Sequence, residues 1–455
     1  MQDTAAEAAP RHPTLAEATA VWARIGLLSF GGPAGQIALM HKELVEERRW
    51  ISESRFMHAL NFCMLLPGPE AQQLATYVGW LLHGTRGGII AGTLFVVPGL
   101  FVILGLSALY AAFQDTSWLA SLFFGLKAAV LAIVIEALVR VGRRALKNEI
   151  MVGLAAIAFV ALFAFNVPFP IVVLLAGVAG YVGTRLNPSI FAAGGHKAAL
   201  PDRPSVIGAN FRRQRPTLAH TGVSIITWLA LWALPLLLIV PALGWSSTLA
   251  ALWLFFSQMA IVTFGGAYAV LAYVAQEAVQ NYGWLQPGEM VDGLALAETT
   301  PGPLVLVLSF VGFLAALRDP VGLDPIFAGI VGGVLTTWVT FVPCFLWIFS
   351  GAPYIERLQS NKALSGALSA ITAAVVGVIA NLAIWFGLHV VFAEVGTFSG
   401  GPISIASPQW STVNWWALAL SAVAALCLFR FKLGVLRTLA VCGVLGVAIS
   451  LGFPA

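Results

Sequence analysis

The chain has 455 residues, of which 59% are hydrophobic and 10% charged, with a formal net charge of +4. An ordinary soluble domain carries roughly 25% charged residues; this composition excludes one, and apolar runs of about 18 residues or more recur along the chain, as in a polytopic membrane protein. No G-x-x-x-x-G-K-[ST] phosphate loop occurs, so any work is drawn from an ion gradient or the membrane potential.

Residues 1–15 form a polar, acid-bearing tail without the apolar core of a signal peptide, and are expected in the cytoplasm. A first unit, 16–186, opens with segment 16–40, which contains Phe30-Gly31-Gly32, and segment 54–83, which contains Pro67-Gly68-Pro69. Ordinary helices are predicted over 88–113, 117–141, 149–166 and 168–186. Residues 187–222 form a basic linker, expected on the cytoplasmic side, and 223–245 hold one unpaired apolar helix. A second unit, 246–455, repeats the order: segment 248–274 contains Phe264-Gly265-Gly266, and segment 288–317 contains Pro301-Gly302-Pro303. Helices over 324–350, 363–391, 413–430 and 433–452 complete it.

The two units read as copies. Their PGP motifs begin at Pro67 and Pro301, and at the same offset Glu43 matches Glu277 and Trp50 matches Trp284. An ungapped alignment of 30–69 with 264–303 gives 11 identities in 40 positions. Further on the offset lengthens: Val97-Pro98 matches Val342-Pro343, and the AAV at 128–130 matches that at 373–375. The single extra helix between the copies turns the second upside down. Basic residues agree with that inversion. Arg140, Arg143, Arg144, Lys147 and the linker cluster fall inside; so do Arg357, Lys362, Arg430, Lys432 and Arg437 once the second copy is inverted, with Arg318 the one misfit.

The stretch between FGG and PGP carries Lys42, Arg48, Arg49 and Arg55 in the first copy, and no Lys or Arg over 275–289 in the second. Re-entrant hairpins satisfy the positive-inside rule here and full crossings break it, although Glu43, Glu46, Glu47 and Glu53 leave full crossings open. The expected fold is an all-α polytopic membrane protein, an inverted-topology internal repeat with paired broken or re-entrant helices in each half.

Proline and glycine inside a membrane helix free backbone groups that hydrocarbon cannot satisfy, so such breaks persist where they are buried in protein or line a cavity. Each break creates a helix N-terminus with unpaired N–H groups and about half a positive charge. Glycine lets the backbone come close, and proline suits a first turn that needs no donor. Breaks at matching places of an inverted repeat point to a secondary transporter, with four N-termini converging on a small anion. The candidate cradle is Gly31, Gly32, Pro67, Gly68, Pro69, Gly265, Gly266, Pro301, Gly302 and Pro303, flanked by Gln72, Gln73, Thr299 and Thr300. The plain alternative is kinking or close helix packing.

The segments SFGGPAGQIALMH (29–41), LLPGPEAQQLATYVGW (65–80), TFGGAYAVLAYVAQ (263–276) and LAETTPGPLVLVLSFVGFLA (296–315) resemble the signature segments of the chromate ion transporter family in its long two-domain form. The resemblance runs from about residue 16 to the C-terminus, with one departure: Ala272 stands where the family pattern has proline. It implies efflux of chromate across the bacterial inner membrane, with sulfate as a look-alike and halves of opposite orientation. The N-terminus is then cytoplasmic and the C-terminus periplasmic. The driving force is the membrane potential, or exchange with protons or another anion. An uptake carrier or an anion channel for sulfate or a related oxyanion is the alternative. Partners are the oxyanion and the lipid bilayer; nucleic acid is not expected, and a homodimer is compatible.

Ionisable residues in apolar segments are costly and so become functional candidates. Arg24, with Gln258 at the matching position, offers a bidentate fork to an oxyanion or snorkels to a headgroup. Lys127, matched by Thr372, is an anion ligand or a buried cation neutralised from another helix; Glu136 is matched by Asn381. Glu70 follows the first PGP and Glu298 precedes the second, each a helix cap or, with Glu136, a coupling carboxylate. The seven histidines show no metal spacing, and Cys63, Cys344, Cys427 and Cys442 read as small buried hydrophobes. With no cofactor fingerprint and no nucleophile–base set, neither an enzyme nor a cofactor is expected.

Overall fold

Polar side chains at the ends of apolar runs set the helix boundaries. Thr14 and Glu17 form a reciprocal capping box at the start of α1 (Leu15–Leu28), and Ser52 caps α3 (Glu53–Cys63). Asn148 caps α6 (Glu149–Phe165), and Ser247 caps α9 (Thr248–Val262). The computed structural model describes residues 10–114, 116–187, 191, 202–208, 211, 217–264, 266–354 and 361–452. Gly265, Arg357 and most of the 187–222 linker lie outside the described residues.

The remaining helices are α2 (Gly32–His41), α4 (Glu70–Phe113), α5 (Ser117–Ala145), α7 (Phe169–Leu186) and α8 (Leu218–Leu243). They continue with α10 (Ala267–Gln276), α11 (Pro287–Thr299), α12 (Val307–Arg318), α13 (Pro325–Gly351), α14 (Lys362–Val391), α15 (Trp415–Ala425) and α16 (Val435–Gly452). Among the described residues, seven helices are long and apolar enough to cross a membrane. The chain is a multi-pass helical membrane protein.

Two features depart from a plain row of helices. Within α4, His83 (φ −130°, ψ 22°) and Gly84 (φ 66°, ψ −156°) reverse the chain, so 70–82 packs back on the arm that follows. The interface is tight because glycines face each other: a Cβ on Gly79 would stand 2.5 Å from the Gly87 carbonyl oxygen. Within this all-α fold, Val395–Gly400 (β1) and Ile403–Pro408 (β2) form one short antiparallel hairpin between α14 and α15. Gly401, at φ 61°, takes the turn that a side chain would resist.

Both PGP segments fold back on themselves. Arg55 near the start of α3 donates to the Tyr77 hydroxyl at 3.3 Å, and Phe62 packs on Tyr77 at 5.6 Å between ring centroids. Were the two arms collinear, residues 55 and 77 would stand about 30 Å apart at ~1.5 Å rise per residue. In the second unit Arg318, at the end of α12, reaches back to the Trp284 carbonyl and the Glu289 carboxylate, both at 2.5 Å. The FGG segments do the same. Arg24 meets Glu43 at 3.5 Å across the first, and Phe255 packs on Tyr273 at 5.9 Å across the second.

Matching local detail accompanies the matching hairpins. A π-helical turn follows α2 at Lys42–Glu47 and another follows α10 at Glu277–Asn281. Trp50 N–H donates to the Leu44 carbonyl at 2.8 Å, and its counterpart, Trp284 N–H, donates to the Ala278 carbonyl at 2.7 Å. The first inter-hairpin loop also pairs with the linker: Ser52 N–H donates to the Ile207 carbonyl at 2.9 Å, and Ile207 N–H to Trp50 at 3.0 Å.

Candidate functional site

Four hairpin tips meet inside the protein. At each, a glycine adopts a left-handed backbone that ordinary residues resist: Gly31 (φ 82°), Gly68 (φ 112°), Gly266 (φ 103°) and Gly302 (φ 90°). Each tip delivers the chain into a helix N-terminus, that of α2, of the first arm of α4, of α10 and of α12, whose entering turn at 304–306 is 3-10.

Each FGG tip is bonded to the PGP tip of the other half. Gly302 N–H donates to the Ser29 carbonyl at 2.8 Å, and Gly68 N–H donates to the Thr263 carbonyl at 2.8 Å. These are the same bond twice, since Ser29 and Thr263 are matching positions and so are Gly68 and Gly302. The Ser29 and Thr263 hydroxyls donate to the Ile25 and Met259 carbonyls at 2.6 and 2.5 Å, closing the helices that lead into the tips. Gln36 adds one bond without a counterpart, donating from Nε2 to the Gly302 carbonyl at 2.5 Å.

Between the tips lies a residual cavity of about 10 Å³, walled by Gln36, Gly68, Glu70, Thr263 and Pro303 among others. That is about one water's worth of space. From Gly68 and Glu70 a larger cavity of about 270 Å³ opens toward Arg144 and Lys147, with Ser369 and Thr372 on its wall. A separate cavity of about 330 Å³, lined by Asn166, Gln276, Gln280 and Asn381, reaches the β hairpin at Thr397 and Ser404.

The structure brings Gly31, Pro67, Gly68, Pro69, Gly266, Pro301, Gly302 and Pro303 to the tips, with Gly32 opening α2. Gly265 lies outside the described residues. Thr299 and Thr300 stand beside them, with hydroxyls donating to the Leu296 carbonyl at 2.8 and 2.7 Å. Gln73 donates to the Pro67 carbonyl at 2.6 Å, which braces the first tip. Among the described residues the buried Gln72 amide, packed against Gly92, has no hydrogen-bond partner. Glu298 accepts a 2.6 Å bond from the Tyr268 hydroxyl, and Glu136 is paired with Arg140 at 3.1 Å along α5.

Three candidates are not brought to the tips. Arg24 is 57% exposed, paired with Glu43, which Arg48 also holds at 3.4 Å. Gln258 is exposed on α9. Lys127 is neutralised from another helix: its Nζ stands 3.2 Å from Asp292, which also accepts a 2.9 Å bond from Tyr110. Asp292 and Gln36 are the polar residues that reading the sequence missed. Asp292 carried the same signal as Lys127, an acid in an apolar run; Gln36 carried none beyond its place one turn after FGG.

No solved structure matches the chain. A family model described as chromate transporter matches residues 16–181 and 250–447. The chain is 31% identical to a chromate transport protein of Pseudomonas aeruginosa, over 83% of this chain and 82% of that one. It is 28% identical to a probable chromate transport protein of Synechococcus elongatus, over 87% and 91%. A chromate transport protein of Cupriavidus metallidurans is 27% identical over 82% of each.

Proposed function

The chain belongs to the chromate transporter family, and on that premise we propose that it binds chromate, with sulfate as competitor, among the four hairpin tips and exports it from the cytoplasm. The observation that carries the reading is the reciprocal pair of tip bonds, which gathers four helix N-termini around one point. Each N-terminus offers N–H donors and a share of positive dipole, which suits a tetrahedral dianion whose oxygens accept from several sides. Gly31, Gly32, Pro67, Gly68, Pro69, Gly266, Pro301, Gly302 and Pro303 form the cradle, with Gln72, Thr299 and Thr300 behind it. A cavity of about 10 Å³ cannot hold such an ion, so binding requires the tips to part.

The cavity that ends at Arg144 and Lys147 is the cytoplasmic vestibule, where two cations concentrate the anion. The neutral cavity under the β hairpin is the periplasmic exit. This orientation places both first-unit hairpins as re-entrant from the cytoplasm and both second-unit hairpins from the periplasm, the inverted repeat supported by the reciprocal bonds and by the basic residues. With the interior negative, each charge is worth about 2.3 kcal/mol per 100 mV. A leaving dianion gains about 4.6 kcal/mol at that potential, more than a thousandfold in concentration ratio at ~1.4 kcal/mol per tenfold.

The test is chromate flux in inside-out vesicles at a set potential, with sulfate as competitor. Saturable accumulation, blocked by sulfate and enhanced by a positive interior, is expected. Flux that never saturates would make the protein a channel, and movement of sulfate without chromate would reassign the substrate.

A further inference from the structure

Glu70 stands where two cavities meet. Among the described residues, the vestibule of about 270 Å³ and the tip cavity of about 10 Å³ share Gly68 and Glu70 in their linings. Gly68 has no side chain, so the Glu70 side chain is what separates the basic vestibule from the cradle. Its carboxylate also faces the N-terminus of a helix from the other half: a Cβ built on Gly266, the residue before α10, would stand 3.8 Å from Glu70 Oε1. Glu70 itself begins the first arm of α4. A carboxyl group thus lies between two of the four N-termini, and among the described residues no side chain donates a hydrogen bond to it. Like a helix-capping carboxylate it also takes a hydrogen bond from the backbone N–H of its own first turn, so it sits where the two halves meet.

Among the described residues, the second unit has no carboxyl at the equivalent position. The matching position is Leu304, which lines the tip cavity and is buried. The charged separator is therefore confined to one of two equivalent sites, on the side of the cavity that carries Arg144 and Lys147.

We propose that Glu70 is a tethered competitor for the transported oxyanion, a gate that holds the cradle with its own carboxylate and must be displaced for a cytoplasmic anion to enter. The proposal rests on the reading of the tips as the anion site. Arg144 and Lys147 line the vestibule above it and attract both the incoming dianion and the carboxylate that has to swing aside. Two negative groups cannot share the cradle, because like charges in a poorly solvated site repel strongly. Displacement of Glu70 and binding of the oxyanion are one exchange.

The experiment compares wild type, Glu70→Gln and Glu70→Asp, reading sulfate binding to the purified protein by calorimetry and chromate flux in inside-out vesicles. Glutamine keeps the shape and removes the charge. Its sulfate dissociation constant and its half-saturating chromate concentration should each fall about tenfold, equivalent to ~1.4 kcal/mol. Aspartate, one methylene shorter, withdraws the charge without removing it and should fall between. An unchanged or weaker sulfate affinity in Glu70→Gln would overturn the proposal, whatever the flux. Should Glu70→Gln not fold, Glu70→Asp decides: affinity equal to or below wild type overturns it. If sulfate tightens as expected while chromate does not move in any variant, the gate stands and the substrate reading fails.

Discussion

Replacing Gly302 with alanine tests the tip architecture directly. At φ 90° the residue sits in the left-handed region, where a Cβ costs roughly 1–2 kcal/mol. The new methyl would also lie 3.2 Å from Leu306 Cδ1 and 3.3 Å from the Phe95 carbonyl oxygen. The leucine can rotate away; the carbonyl belongs to the long arm of α4 and cannot. If the tip retreats, it strains the bond to the Ser29 carbonyl at 2.8 Å and the bond from Gln36 at 2.5 Å, each worth about 0.5–1.5 kcal/mol net. The expected loss is therefore about 2–5 kcal/mol. Two measurements check it, the thermal unfolding midpoint in detergent and chromate flux in inverted vesicles at equal protein. A lowered midpoint and at least a tenfold slower flux are expected. An alanine variant indistinguishable from wild type in both would refute the view that glycine geometry holds the tips together.

Lys127→Met should strand the buried Asp292 carboxylate and lower stability by about 3–5 kcal/mol, most of it restored by adding Asp292→Leu; equal midpoints for single and double variants would speak against the pair as a buried support. Arg24→Gln removes an exposed partner of Glu43 that Arg48 also holds, so flux should stay within about twofold, exposed pairs being worth roughly 0–1 kcal/mol. A tenfold loss would return Arg24 to the anion path. Arg144→Gln combined with Lys147→Gln should raise the half-saturating chromate concentration several-fold at low ionic strength and flatten its salt dependence. Retention of the wild-type salt dependence would remove the vestibule from the route.

The breaks were legible because glycine and proline are demanded there by backbone geometry. Phe30-Gly31-Gly32 and Pro301-Gly302-Pro303 could be found by spacing alone. Which tip touches which could not, since the bonds join Ser29 to Gly302 and Gly68 to Thr263 through backbone atoms that no side-chain pattern encodes. Ionisable residues were found but not placed. Arg24 and Lys127 each have a carboxylate partner distant in sequence, Glu43 across a hairpin and Asp292 on α11, and spacing along one helix carries no information about either. The β hairpin was missed although Gly400-Gly401 lies between two short runs with β-prone residues, because the apolar helices on both sides dominated the reading.

The reciprocal tip bonds also set an order of events during synthesis. The Gly68 N–H has its acceptor at Thr263 and the Ser29 carbonyl has its donor at Gly302, so each bond waits for the far half of the chain. At a translation rate of about 5–20 residues per second, a separation of roughly 200 residues delays the nearer partner by roughly 10–40 s. Until then two broken helices wait with polar backbone exposed at a depth where water is scarce. The first half is thus an unfinished folding unit that the second half completes, and a nascent chain halted before Gly302 should be a preferred target for membrane proteolysis.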